Sequence, residues 1–114
     1  MESILTSIKK MLGITESCES FDPDIIIHIN SVFVILNQMG IGTESIFSIS
    51  DKTSTWDQFL NDDKTIDSVK TYMYMKVRSM FDPPTNSIVA DSMKRLTDEL
   101  EWRLNLSAET NKNN

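Results

Sequence analysis

One cysteine, Cys18, and one histidine, His28, are all that this chain of 114 residues offers of two side chains that often bind metals. A lone cysteine excludes an intrachain disulfide, and a lone histidine excludes a multi-histidine metal site. With only three glycines there is no glycine-rich phosphate loop. Long apolar runs are missing as well. The longest, Ile25 to Leu36, is interrupted by His28, Asn30 and Ser31, and is too short and too polar to cross a bilayer. No basic segment followed by an apolar one stands at the N-terminus, so no signal peptide is expected. Positive charge is scarce: 11 Lys and Arg against 17 Asp and Glu give a net charge of −6. A grip on duplex DNA needs a surplus of Lys and Arg, so that function class is disfavoured.

What is present describes one small folded domain. Hydrophobic residues make up 39% and charged residues 25%, a balance that supports a packed core rather than a disordered chain. The length suits a single core. The punctuation predicts helices. Ser3 caps a first helix with Ile4, Leu5, Ile8 and Leu12 on one stripe, and Gly13 stands where a left-handed residue ends it. Asp22-Pro23 starts a second helix, with Asp22 as cap and Pro23 in the first turn, and Gly40 stops it. Its β-branched residues favour a strand by propensity. Its length and its two end signals favour a helix. Ile25, Ile26, Ile29, Val32, Phe33 and Leu36 share one face, while Ile27 and Val34 lie opposite. A helix apolar nearly all round is central in its domain or shared with a neighbour.

Residues 40–54 form a long connection, briefly extended at Ile46 to Ile49. Thr55 and Gln58 then make a capping box for a short helix ending near Leu60. Another helix runs from Asp62 or Asp63 to about Phe81. It has a stripe of Ile66, Val69, Met73, Val77 and Met80, with Tyr72 and Tyr74 at its flanks and Met75 pointing away. Asp82-Pro83-Pro84 stops it. The last helix starts near Asn86 with Val89, Met93, Leu96, Leu100 and Leu104 inward. The expected fold is therefore all-α. It is a small bundle of about four to five helices with a long loop after the second, spanning 1–106, with a disordered polar tail over 107–114.

Charge is uneven. Residues 15–24 carry −4, residues 40–63 carry −4, and residues 64–82 carry +2. Chemistry is hard to find in this pattern. His28 has no nucleophile beside it. Cys18 sits among carboxylates that disfavour its thiolate. Asp51, Thr53, Thr55 and Asp57 alternate as calcium ligands would, but Trp56 and Asp62 occupy the positions where such a loop needs Gly and Glu. No catalytic, cofactor-binding or metal-binding residue is assigned. Arg103 falls on the predicted core stripe and needs a carboxylate, for which Asp82 is a candidate. Trp102 lies off that stripe, where it covers a neighbouring helix or serves an interface.

Five segments in order carry a family resemblance: ILTSIKKMLGI, FDPDIIIHINSVFVILNQMGIG, TWDQFL, YMYMKVRSMFDPP and ELEWRLN. Together they resemble the small head–tail connector (head-completion, or adaptor) proteins of tailed bacteriophages. The resemblance implies a non-enzymatic virion protein of the head–tail interface, made in the cytoplasm of the infected bacterium. It implies a ring, twelve-fold on the portal protein, that extends the DNA channel and receives a stopper or tail-completion protein. Double-stranded DNA would pass through without specific binding, and neither a cofactor nor a membrane is involved. Within that frame Ile27, Val34, Met75 and Trp102 are candidate interface residues, because they are apolar and off the main stripes. Asp51, Asp57, Asp62 and Asp63 are candidate channel-facing acids, since an acidic lining repels phosphates. The alternative is a small helical regulatory or scaffold protein of a phage that binds a partner and stays out of the virion. A helix-turn-helix nucleic-acid binder fits less well, because no recognition helix rich in Lys and Arg is present.

Overall fold

A computed structural model describes residues 2–61 and 63–112, with the side chains of Asp63 and of 110–112 excepted. Five helices follow one another: α1 (Ile4–Met11), α2 (Asp22–Met39), α3 (Trp56–Phe59), α4 (Asp63–Phe81) and α5 (Ser87–Lys112). The described residues hold no strand, only one isolated antiparallel bridge between Ser3 and Thr55. The fold is a small all-α bundle.

Local chemistry sets the helix ends. The Ser3 hydroxyl accepts from the Thr6 N–H at 3.2 Å and caps α1. Beyond α1 the Gly13 N–H reaches the Lys10 carbonyl and the Ile14 N–H reaches the Lys9 carbonyl, with Gly13 at φ 81°. The same paired bonds end α2: Gly40 to Asn37 and Ile41 to Leu36, with Gly40 at φ 88°. Both are Schellman caps, in which a left-handed residue lets two orphan carbonyls be satisfied. At α3 the Thr55 N–H donates to Gln58 Oε1 at 3.1 Å. Asn86 caps α5, its Oδ1 accepting from the Ile88 and Val89 N–H groups.

The start of α2 differs from expectation. Phe21 takes the cap position without a side-chain bond. Asp22 instead lies 2.9 Å from the Lys9 ammonium. Lys9 is only 3% exposed, and its ammonium also donates to the Glu16 carbonyl at 3.1 Å. A buried ammonium is costly unless it is paired and hydrogen-bonded, so the acid is withdrawn from capping to meet it. That one cation ties α1, the connection after it and the entry of α2 together.

The core gathers around α2 and α4, which make the largest helix–helix contact. Ile25, Ile29, Val32, Phe33 and Leu36 of α2 and Val69, Tyr72, Met73 and Val77 of α4 are fully buried. Helix α4 also packs on α5, whereas α2 and α5 touch each other far less, so α4 is the middle of the three long helices. The molecule is flat, with extents of 43 × 36 × 20 Å.

The loop after α2 is fastened to the helices around it. The Asn30 side chain donates to the Ile49 carbonyl at 3.0 Å and accepts from its N–H at 2.8 Å, as a neighbouring strand would. Asn37 holds the carbonyls of Thr43 and Glu44. Phe47 joins Phe33 and Phe59 in a ring cluster with centroids 4.7–5.5 Å apart. Gly42, at φ 93°, lies so close that a Cβ there would stand 2.2 Å from the Phe59 ring. Glycine is required at that point for both conformation and space. The N-terminus closes the other side of the loop. Ile4 N–H donates to the Ser54 carbonyl, Trp56 N–H to the Glu2 carbonyl, and the Trp56 indole to the Ser7 hydroxyl at 2.8 Å.

Helix α5 corrects the sequence reading in three ways. Its inward residues are Met93, Thr97, Leu100, Leu104 and Ala108, whereas Val89 and Leu96 are exposed. The small side chains Ala90, Thr97 and Ala108 share the inward side, with Thr97 and Ala108 buried and Ala90 half-buried. The Thr97 hydroxyl is satisfied by the Met93 carbonyl at 2.7 Å. Arg103 therefore lies outside the core and pairs with Glu99 at 2.7 Å, not with Asp82. Finally, the helix continues through Lys112, so residues 107–112 are helical where a disordered tail is expected, and Ala108 is buried. Residues 113 and 114 lie outside the described residues.

Tyr72 is central, not flanking. It is fully buried, and its hydroxyl donates to Glu101 of α5 at 3.0 Å. Burial pushes the phenol above its usual range, and the bond to the Glu101 carboxylate adds to the rise. Below about pH 10 the phenol is neutral in both states; above it the unfolded chain ionises first. The native state then binds more protons, so stability falls as pH rises. Urea midpoints should drop between about pH 10 and pH 12, and the Tyr72→Phe variant should lose this drop. An equally steep fall in the variant would place its origin elsewhere.

Candidate assembly surfaces

Among the described residues no group of His, Cys, Asp and Glu side chains is placed to hold a metal ion. His28 packs near the Phe81 ring, with centroids 6.4 Å apart. Asp51 is fully exposed and serves its own turn. The Thr53 hydroxyl and N–H both donate to it, holding its carboxyl below the usual carboxylate range. The acid is structural there and stays anionic.

The candidate interface residues separate into two groups. Ile27 is 62% exposed and Val34 38%, both on the face of α2 turned away from the core, and Trp102 is 63% exposed on α5. Met75 does not join them. It is 6% exposed, buried between α4 and α5, where it lines a cleft of about 300 Å³ with Tyr74, Val89, Met93 and Leu96. The stripe through Val69, Met73 and Val77 faces α2, and the far side of α4 is covered by α5; a two-sided helix buries its second face too. Sequence reasoning missed exposed apolar side chains elsewhere, above all Ile88, Leu96 and Leu106 of α5. The signal was present in the small residues Ala90, Thr97 and Ala108, which mark the inward face and thereby turn Ile88 and Leu106 outward.

Of the candidate channel acids, Asp51 and Asp57 are exposed. Asp63 begins α4 with its side chain outside the described residues, and Asp62 lies outside them altogether. Asp82 is exposed just past α4, its N–H bonded to the Arg78 carbonyl. A second cleft, of about 360 Å³, opens between the end of α4, Pro83-Pro84 and α5. In the second cleft the Ser79 and Thr97 hydroxyls donate to backbone carbonyls of their own helices and Lys94 is paired with Asp98. What the surface offers is exposed apolar side chains on α2 and α5, among acids carried by both loops and helices.

A family model described as phage connector protein matches residues 4–111. The chain belongs to the phage connector protein family. Comparison with curated proteins and with solved structures gives no match. The connector family is structural and not a family of enzymes. It implies contact with other head or tail proteins of a phage and a place in the virion. No described helix of this connector protein is long and apolar enough to cross a membrane.

The two groups of apolar residues should behave oppositely when charged. Val34→Asp should keep the helical circular dichroism and melt within a few degrees of the parent, since exposed substitutions cost about 0.5 kcal/mol. Met75→Asp buries a carboxylate among apolar side chains and should lose about 3 kcal/mol or more. Equal losses from both would mean that Val34 is part of the core.

Proposed function

We propose that this connector protein is a head–tail adaptor. It docks as a ring, twelve-fold on the portal, extends the DNA channel, and receives the stopper or tail-completion protein. One observation carries the reading: a chain of the connector family leaves apolar side chains exposed on both flanking helices, Ile27 and Val34 on α2 and Ile88 and Trp102 on α5. A subunit that packs between two neighbours needs two such faces, because a cyclic head-to-tail contact uses a different patch on each side. The flat shape suits lateral packing. Its net charge of −6 suits a passage for DNA, since acids repel phosphates and keep the duplex from sticking. Asp51, Asp57, Asp62 and Asp63 are the acids assigned to that lining.

Co-sedimentation with isolated cognate portal rings, followed by electron microscopy of the pellet, tests the reading. The expected result is stoichiometric binding and an added ring of density at the narrow end of the portal. Absence of binding well above physiological concentration would instead support a partner-binding phage protein that stays outside the virion. The lining has its own test. Changing Asp51, Asp57, Asp62 and Asp63 together to Asn should alter DNA retention or ejection. Unchanged ejection kinetics in particles carrying the fourfold variant would remove those acids from the channel.

A further inference from the structure

From Ile25 to Thr43 the chain holds no Asp, Glu, Lys or Arg, although 25% of its residues are charged. The outer face of α2 therefore shows Ile27, Ser31, Val34 and Gln38 to solvent without a charge. The Ser31 hydroxyl is used within its own helix, donating to the Ile27 carbonyl at 3.0 Å. Solvated helix faces ordinarily carry charges. One acid stands at the N-terminal edge of this face: Asp24, exposed and in none of the ion pairs of the described residues.

Helix α5 has a matching face. Ile88, Arg95, Glu99, Trp102 and Leu106 recur along its outer side, and Ile88 is 75% exposed. Lys94 and Arg103 on the same helix are paired with acids, but Arg95 meets only the Ser92 hydroxyl, at 3.4 Å. Because α4 lies between α2 and α5, the two faces sit on opposite flanks of the subunit.

We propose that the outer face of α2 in one copy packs against the outer face of α5 in the next, the helices parallel and Asp24 paired with Arg95. This rests on the adaptor reading and names the surfaces through which its ring is built. Charge complementarity selects a second copy as the occupant: Asp24, in no ion pair of the described residues, lies beside one apolar face, and Arg95, likewise in none, lies within the other. It also selects the direction. At ~1.5 Å per residue, Val34 lies about 15 Å along α2 from Asp24, and Leu106 about 16 Å along α5 from Arg95. Parallel helices thus set Ile27 and Val34 against Trp102 and Leu106. Antiparallel helices would carry both Trp102 and Leu106 past the start of α2, whereas parallel ones carry only Ile88 past it. Unlike faces meeting head to tail propagate, and close into a ring when the rotation allows.

Thiol cross-linking of the full chain in a Cys18→Ser background tests the seam. One batch carries Ser31→Cys and the other Glu99→Cys. They are mixed at millimolar concentration, with and without portal rings, and treated with a short bismaleimide. The expected product is a dimer between the batches, about tenfold above either homodimer, and a ladder when one chain carries both substitutions. Asp24→Arg in the first batch should cut the yield about tenfold, and Arg95→Asp in the second should restore it. Homodimers of the Ser31→Cys batch would show α2 packing on α2 and overturn the seam. Ring-decorated portals without the link would also overturn it, while leaving the adaptor reading intact. A link without decoration would keep the seam and remove portal docking. Wild-type protein that does not decorate portals, together with no link between the two batches, would end both.

Discussion

Val32, Phe33 and Leu36 of α2 and Val69, Met73 and Val77 of α4 are sealed from water, and every other element is placed by what it adds to that contact. Helix α1 supplies Ile4, Leu5 and Ile8 to the same core and is held at its far end by Lys9. The long loop supplies Ile41 and Ile49, the short α3 supplies Trp56 and Phe59, and α5 supplies Leu104 and Ala108. A domain of this length can afford one core and no second, so the buried side of α2 takes α1, α4 and the long loop together. That explains why α2 is rich in β-branched residues yet helical. Isolated helices of such sequence are weak, and burial rather than propensity decides the outcome.

Helix ends were legible because their causes are local. Ser3, Gly13, Gly40 and the Thr55–Gln58 pair act on backbone groups within a few residues, and each does so in the structure. Asp22 shows the limit of such reading. Its neighbours in sequence describe a cap, but Lys9 reaches it across the turn and the stronger electrostatic demand prevails. Asn30 and Tyr72 are similar. Their bonds to Ile49 and Glu101 join residues far apart in the chain, which no local pattern encodes. The rotation of α5 is of the same kind. Periodicity predicts that a helix has an inward face. Which of two competing stripes turns inward depends on how closely the partner helix can come, and there Ala90 and Thr97 outweighed Val89 and Leu96.

The candidate surfaces were legible to the extent that they are residues rejected by the core. Ile27, Val34 and Trp102 followed from that rule, and Met75 broke it because α4 is covered on both sides. A residue off one stripe is free only when its helix has a single neighbour. Helices α2 and α5 flank the layer and have outer faces to spare, whereas on α4 in the middle Met75 is covered and Met80, near its end, is the exposed apolar residue. Position in the layer therefore decides which apolar residues remain for assembly.

Charge placement completes the same division. The acids gather on the connections around α2 and leave its outer face neutral, while cations on α4 and α5 are mostly spent on nearby acids or on the Tyr74 hydroxyl. A uniform coat of acids would keep copies of the chain apart, since like charges at a close contact cost several kcal/mol. Keeping charge off the stretch from Ile25 to Thr43 removes that cost from the outer face of α2 and keeps the overall negative sign. The loop after α2, which carries Glu44 and Asp51, is fixed by Asn30, Asn37 and the Phe33–Phe47–Phe59 cluster. Acids held on a rigid loop keep a defined position relative to the helix faces. A subunit arranged in this way can pack closely with its neighbours through α2 and α5 and still present negative charge to whatever passes beside it.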